Sequence, residues 1–421
     1  VTDGSRDAAA GMGDLVRLGV RLGADKLRNG GNADAGAVGC RWAREIIERG
    51  GPDAEGIEIR LGGRGVYLLG DRVRSDRILS CPPVDDGYGT GALKRSAMEF
   101  LAPGALTIAD GERWRRLRAF NEEVLDAVHV PEYAERFADR VWEAFGAPVR
   151  DAADVRSAMG RAMVGIVLGD PRPGEDPAGD VRTLFGIVQS PVKRKLLGFA
   201  YKGRRKRFWA SLERRWADAR GDEPTLLGLA QARARDYPSL GTTEILDQVP
   251  HWMFTFTGSG TDLLVRTLAL ITARPAVLER VVREIDDGTF FIRACLLEAG
   301  RLFPPVTKTF HRSSPAEGGD EIAHWFPLLQ RDPTLGPSVD AFRPERWLEG
   351  DPDPPARASN LFLRGPRGCP GEDLILFVCE TAIRGQLGQW GMAARRSRLS
   401  SDPLPVSFPA GDVTFSTESE S

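Results

Sequence analysis

Mainly α with a small β-rich lobe is the fold class the sequence predicts, and three observations predict it. Long stretches between Lys94 and Phe303 repeat apolar residues at helical spacing. A short alternating text, Ile57-Glu-Ile-Arg-Leu and then Val66-Tyr-Leu-Leu, lies between Gly62-Gly63 and Gly70-Asp71 and reads as a β-hairpin. Near the end, Val406, Phe408, Val413 and Phe415 flank Pro409-Ala-Gly-Asp412, so Pro403 to Ser416 is expected as a closing hairpin.

Taken in order, residues 1–35 carry glycine, alanine, aspartate and arginine with one amphipathic patch, Met12 to Leu27. They are expected as a peripheral segment ahead of a single domain over 36–421. After the hairpin the spacing predicts helices over Lys94–Phe100, Gly111–His129, Pro131–Phe145, Ala152–Leu168, Val181–Val188 and Arg204–Ala219. A polar connection precedes the longest run, Thr243 to Arg274, which Pro275 ends because proline cannot continue the hydrogen-bond ladder. A helix from Pro275 to Asp286 follows, then Thr289–Phe303, stopped by Pro304-Pro305. No repeat or low-complexity tract interrupts the chain.

A chain of 421 residues can bury a large core. Its 57 basic and 59 acidic side chains leave a net charge of −2, which argues against nucleic acid or a membrane surface as partner. Five cysteines are an odd number and none forms a CxxC pair, so neither a disulfide framework nor a zinc knuckle is indicated. A reducing, cytoplasmic setting fits. No long apolar segment predicts an anchor.

The stretch Phe362-Leu-Arg-Gly-Pro-Arg-Gly-Cys-Pro-Gly371 concentrates prolines and glycines around one cysteine, and an apolar helical run begins at Glu372. Proline fixes φ and glycine permits close approach, so this is a rigid loop holding a sulfur before a helix N-terminus, where amides and the dipole favour a thiolate. That chemistry suits a metal ligand. A buried cysteine acting as a small hydrophobe does not require Phe362, Gly365, Arg367 and Gly371 at these offsets. The complete spacing F-x-x-G-x-R-x-C-x-G resembles the haem-binding loop of the cytochromes P450. The resemblance implies the cytochrome P450 fold, haem b as cofactor, Cys369 as axial ligand of the haem iron, and Arg367 on a haem propionate.

Three further runs agree with the family in order and spacing. Glu298-Ala-Gly-Arg301 sits among Cys295, Leu296, Leu297 and Leu302, and Phe342-Arg-Pro-Glu-Arg346-Trp347 resembles the motif that supplies a third, structural member, Arg346. Trp114 and Arg118 in Gly111-Glu-Arg-Trp-Arg-Arg-Leu-Arg resemble the tryptophan and arginine that hold a propionate, a carboxylate matching the planar guanidinium fork. For a further propionate contact the family carries an arginine where His311 stands, ten residues past Arg301; Arg312 is one later and is the expected contact.

The long helix departs from the family. Where the P450 pattern places A/G-G-x-D/E-T, this chain reads Thr255-Phe-Thr-Gly258-Ser259-Gly260 without the acid. Ser259 is the candidate alcohol and Asp262, one turn on, the candidate carboxylate of a proton relay. The alternative is that Ser259 and Thr257 bond the backbone and that Asp262 pairs with Arg266. Three lesser features remain. Lys193, Arg194, Lys195, Lys202, Arg204, Arg205, Lys206 and Arg207 form a basic cluster, read either as a solvated face or as docking for an anionic or carrier-bound substrate. Lys308 is a substrate anchor or a surface lysine. His251 lines the pocket or, by the more ordinary reading, is a satisfied core histidine, and Cys379 is expected in the core.

The resemblance implies an oxidoreductase, a monooxygenase that takes electrons from a separate ferredoxin and ferredoxin reductase and oxidises a small organic molecule in secondary metabolism. Two alternatives stay open: peroxide-driven, oxidative-coupling or substrate-assisted chemistry on the same fold, motivated by the missing acid, and a non-enzymatic haem-thiolate binding or sensing protein.

Overall fold

The computed structural model describes residues 8–28, 35–51, 54–61, 64–83, 87–188, 199–219, 223–285, 290–313, 320–348, 360–363, 365–394 and 399–417. Its strands in chain order are β1 (Ala8–Ala10), β2 (Gly56–Leu61), β3 (Arg64–Leu69), β4 (Gly89–Thr90), β5 (Lys308–Arg312), β6 (Glu321–Trp325), β7 (Met392–Ala394) and β8 (Phe415–Thr417). The first six make one sheet in the order β1-β2-β3-β6-β5-β4. The predicted hairpin is present: β2 and β3 pair antiparallel with Gly56 opposite Leu69 and Leu61 opposite Arg64.

Strand alternation gives this sheet two apolar faces. Ile57, Leu68 and Ala323 pack with Cys40, Trp42, Ala43 and Ile46 of the Ala35–Gly50 helix. Tyr67, Leu69 and Ile322 pack with Ile78 of the Arg72–Leu79 helix. The N-terminal segment supplies the edge strand β1, parallel to β2, and the Met12–Arg28 helix, whose Leu15 and Leu18 lie against the first of these clusters. Trp42 Nε1 donates to Asp14 O at 3.0 Å and ties that helix down.

The closing hairpin is not formed as expected. Phe415–Thr417 pairs instead with Met392–Ala394, Met392 opposite Thr417, and Ala410–Asp412 makes a 3-10 turn. Pro403, Pro405 and Pro409 lack amide hydrogens, so the stretch carrying Val406 and Phe408 cannot sustain a ladder.

Helices surround a second, larger core. The long run is four pieces: Thr242–Leu246, Gln248–Thr255, a π-helical turn Phe256–Gly260, and Thr261–Thr272. The Ala152–Leu168 helix, buried on nearly every side, crosses it; a helix apolar all round belongs in a core. The Phe291–Leu302 helix and the Glu372–Trp390 helix complete the surroundings of the cysteine loop. No helix among the described residues is long and apolar enough to cross a membrane.

The predicted charged triad is a fully buried node. Glu298, Arg301 and Arg346 have no solvent exposure. Glu298 Oε1 accepts from Arg301 Nη2 at 2.8 Å, Arg346 Nε at 3.1 Å and the Arg343 amide at 3.2 Å. Its Oε2 accepts from Arg301 Nε at 2.9 Å and Trp347 Nε1 at 3.0 Å. Arg301 Nη1 continues to the carbonyls of Val339 (2.9 Å) and Gln330 (3.2 Å), and Arg346 to Ser338. Every lone pair in use here replaces water, which is the condition under which buried charge is tolerated.

Removing one partner leaves the others uncompensated. Arg346→Ala is expected to lower stability by roughly 3–5 kcal/mol, and Arg346→Lys to restore only part because an ammonium lacks the fork. Urea unfolding followed by tryptophan fluorescence measures both; a loss below about 1 kcal/mol would show that the node is dispensable.

Candidate active site

The loop that carries Cys369 is held at both ends. Cys369 N donates to Phe362 O at 2.7 Å and Gly368 N to Gly365 O at 3.0 Å, around a 3-10 turn Gly365–Arg367. Gly365 has φ +54 and a Cβ there would lie 3.2 Å from Ser80 Cα, so this position needs glycine for both conformation and space. Phe362 packs, partly buried, against the large core. Arg118, on the Gly111–Leu125 helix, donates to Gly368 O and pairs with Glu122 at 2.6 Å. That helix is locked to the long helix by Asn121, whose Oδ1 accepts from Trp252 Nε1 at 2.7 Å. Trp114 lies one turn before Arg118 and is partly buried against the same core.

The loop is also connected to the triad. Gln330 gives its carbonyl to Arg301 and its Oε1 to Asn360 N at 2.8 Å; Asn360 O accepts from Leu363 N at 3.2 Å. Gly300 leaves space that Leu361 fills, since a Cβ there would lie 2.2 Å from Leu361 Cδ2.

Cys369 keeps accessible surface although protein packs densely around it. Burial pushes the thiol up to about 11. The Gly371 amide and the Arg118 guanidinium oppose that shift and Glu372 adds to it. At neutral pH the sulfur is a thiol, and a bound metal cation would make it a thiolate. Among the described residues no group of three or more His, Cys, Asp or Glu could hold a metal.

Arg367 donates through Nε to Cys81 O at 2.6 Å and through Nη2 to Tyr88 O, and burial lowers it to about 10 while Asp110 opposes. His311 and Arg312 point to opposite faces of β5. Arg312 lies over Gly89, where a Cβ would be 2.8 Å from its Nη2, and across from Glu321. His311 is buried, edge-on to His324 at 4.8 Å, and sits in the field of Arg367. Burial first, then His324, Arg367 and Lys94, hold it well below the ordinary imidazole range. Its Nδ1 has no hydrogen-bond partner among the described residues. A cationic guanidinium beside an orphaned buried imidazole nitrogen fits the carboxylate edge of a porphyrin.

The long helix breaks beside the Cys369 helix. The π turn is where an α-helix opens for function, and Gly260 within it approaches Ile375: a Cβ would lie 2.6 Å from Ile375 Cδ1. Cys379, in the core as expected, donates to Gly260 O at 3.9 Å. Ser259 is half-buried on the π turn. Asp262 lies 3.9 Å from Arg266, which also donates to Phe303 O at 3.0 Å. Thr257 Oγ1 donates to Met253 O at 2.9 Å. Thr261 was missed: fully buried, its hydroxyl donates to Thr257 O at 3.0 Å. The signal was in the spacing, because taking Gly258 as the motif's glycine puts Gly260 in the acid's place and Thr261 in the alcohol's.

Of the lesser features, Lys193, Arg194 and Lys195 lie outside the described residues. Lys202, Lys206 and Arg207 are exposed, and Arg204 pairs with Asp180 at 2.8 Å. Lys308 is exposed at the start of β5. His251 is edge-on to Phe254 at 5.2 Å.

No protein-family model matches the chain. It is similar to a cytochrome P450 monooxygenase of Aspergillus flavus, 37% identical over 30% of this chain and 32% of the relative. It is also similar to cyclooctat-9-en-7-ol 5-monooxygenase of Streptomyces melanosporofaciens, 27% identical over 81% of this chain and 83% of the relative. The match therefore spans about a third of the fungal relative and most of the bacterial one. Among solved structures, retinoic acid bound cyanobacterial CYP120A1 matches with a TM-score of 0.67 at 20% identity, over 87% of this chain and 92% of that one.

The raised thiol is directly measurable. In haem-free protein, alkylation of Cys369 by iodoacetamide is expected to rise with pH through about 11, above the ordinary thiol value of 9.0. Arg118→Ala removes a cation that lowers the shift and should move the midpoint higher still; a midpoint at the ordinary value would contradict the enclosed site.

Proposed function

We propose that this chain, which belongs to the cytochrome P450 superfamily, is a haem-thiolate monooxygenase that oxidises a small organic molecule using dioxygen and electrons from a separate ferredoxin and its reductase. The carrying observation is the Cys369 loop: one sulfur, enclosed, supplied with an amide and a guanidinium, and braced to a buried charged triad. The bacterial relative, named for a reaction on cyclooctat-9-en-7-ol, supports a small-molecule substrate.

When bound, haem b supplies the redox-active iron for oxygen chemistry. The protein's part is positional. Cys369 would hold the haem iron through its sulfur, and the Gly371 amide and Arg118 would stabilise the negative charge of the thiolate. Phe362 and Gly371 shape the loop, and Trp114 and Arg118 on the Gly111–Leu125 helix, Arg367, and His311 or Arg312 on β5 would receive the propionates. Thr261 holds a proton at Oγ1 beside the widened turn, and Ser259 and Asp262 are the alternative relay.

A second reading has its own observation. Gly260 stands in the acid's place and Ile375 occupies the space a side chain would need. A peroxide-driven enzyme requires no acid there, so turnover with hydrogen peroxide exceeding turnover with ferredoxin and dioxygen would favour it.

Two outcomes test the main reading. Cys369→Ala is expected to abolish the thiolate–CO Soret band, and survival of that band sinks the ligand assignment. Thr261→Ala is expected to lower product formed per electron by roughly tenfold or more, while Ser259→Ala leaves it unchanged; the reverse result returns the relay to Ser259.

A further inference from the structure

We propose that Ser75 and His324 are positioning residues for the haem: together they set the Arg72–Leu79 helix on the sheet and thereby hold His311 and Arg367 as one carboxylate-binding edge. This deepens the haem-thiolate reading and rests on it.

The Arg72–Leu79 helix is bonded both to the sheet and to the cysteine loop. On the sheet side, Ser75 Oγ and His324 Nδ1 share a hydrogen bond at 2.8 Å. On the loop side, Asp76 Oδ1 accepts from Asn360 Nδ2 at 3.1 Å, three residues before Leu363. Ser80, at the end of the helix, leaves no room for a side chain at Gly365, and the Cys81 carbonyl accepts from Arg367 Nε at 2.6 Å. A shift of this helix on the sheet therefore moves Arg367. Arg367 is strapped a second time to Tyr88 O, next to strand β4, whose Thr90 pairs with His311 of β5.

The two histidines share a face. Thr309 lies opposite His324 and His311 opposite Ile322, so both imidazoles stand on the side of the sheet where Ile322 packs with Ile78 of the Arg72–Leu79 helix. Their rings meet edge to face, with centroids 4.8 Å apart and planes at 86°. His311 cannot turn without displacing the ring that Ser75 holds.

Packing alone does not call for polar groups here. Ser75 and His324 have no solvent exposure, and Ile78, one turn after Ser75, shows that an apolar side chain suits this face. Burying a hydroxyl and an imidazole is costly unless their bonds are made, and these bonds are only partly made. His324 Nε2 and His311 Nδ1 have no hydrogen-bond partner among the described residues. Burial lowers His324 to about 3, with Arg367 adding to it, and burial also holds His311 low. Both rings are neutral, so each can offer one N–H to a carboxylate. Ser75 and His324 act through His311 and Arg367, as outer groups that orient inner ones.

The test measures haem transfer from the ferric holoenzyme to apomyoglobin and the ferric/ferrous midpoint potential, beside the thiolate–CO band and urea unfolding. Ser75→Ala and His324→Leu are expected to keep the band and to release haem roughly fivefold faster, about the effect of one lost hydrogen bond. Both should lower the potential, because a propionate charge less well met favours ferric iron. Ser75→Thr keeps the hydroxyl and should match the wild type in both measurements. His324→Leu should add nothing once His311→Phe has removed the ring it positions. Ser75→Ala removes a single oxygen and carries the test alone should His324→Leu not fold. Variants that unfold more easily yet show wild-type haem release and potential overturn the proposal, since the pair would then be a packing contact. Full additivity of the His324 and His311 effects overturns it too. Wild-type protein without the thiolate–CO band overturns the haem-thiolate reading itself, and the proposal with it.

Discussion

Glu298 carries its charge where no water reaches, and the organisation around Cys369 depends on how that charge is met. Two guanidiniums, an indole and a backbone amide converge on one carboxylate. The partners come from the Phe291–Leu302 helix and the 343–347 turn, so satisfying the charge fixes both segments. Arg301 then passes the constraint to Gln330, Gln330 to Asn360, and Asn360 to the turn whose Phe362 carbonyl receives the Cys369 amide. The position of the sulfur is thus an outcome of charge neutralisation elsewhere. Gly300 contributes by absence, because Leu361 fills the space its side chain would take.

The site itself is arranged by sign. On the sulfur's side, burial alone favours the neutral thiol, and amide and guanidinium only soften that preference. Along the edge marked by Arg367 and His311 the balance is positive, with an orphaned imidazole nitrogen. A metal cation for the sulfur and carboxylates for the edge satisfy both at once, and a metalloporphyrin carries both.

The break in the long helix couples the two sides. A π turn inserts an extra residue into the ladder, and Gly260 lets the widened turn meet Ile375 and Cys379 of the helix behind the cysteine loop. The same widening leaves Thr261 with its hydroxyl on the Thr257 carbonyl. Local backbone geometry and the candidate proton relay are one feature.

Much of this was legible in the amino-acid order. The helices, the β2–β3 hairpin, the cysteine loop and the triad are all written in short runs, where spacing within a turn or a loop determines which side chains can act together. The triad's burial was readable because apolar neighbours flank it on the same helix. What tertiary structure alone decided concerns residues whose meaning depends on remote segments. His311 is buried against His324 and Arg312 lies on the other face of the strand because parity is set by the register of β5 against β4 and β6, which one sequence does not specify. The closing hairpin gave way to a β7–β8 pair because three prolines removed the donors its ladder needed, and the partner strand lay beyond the local window.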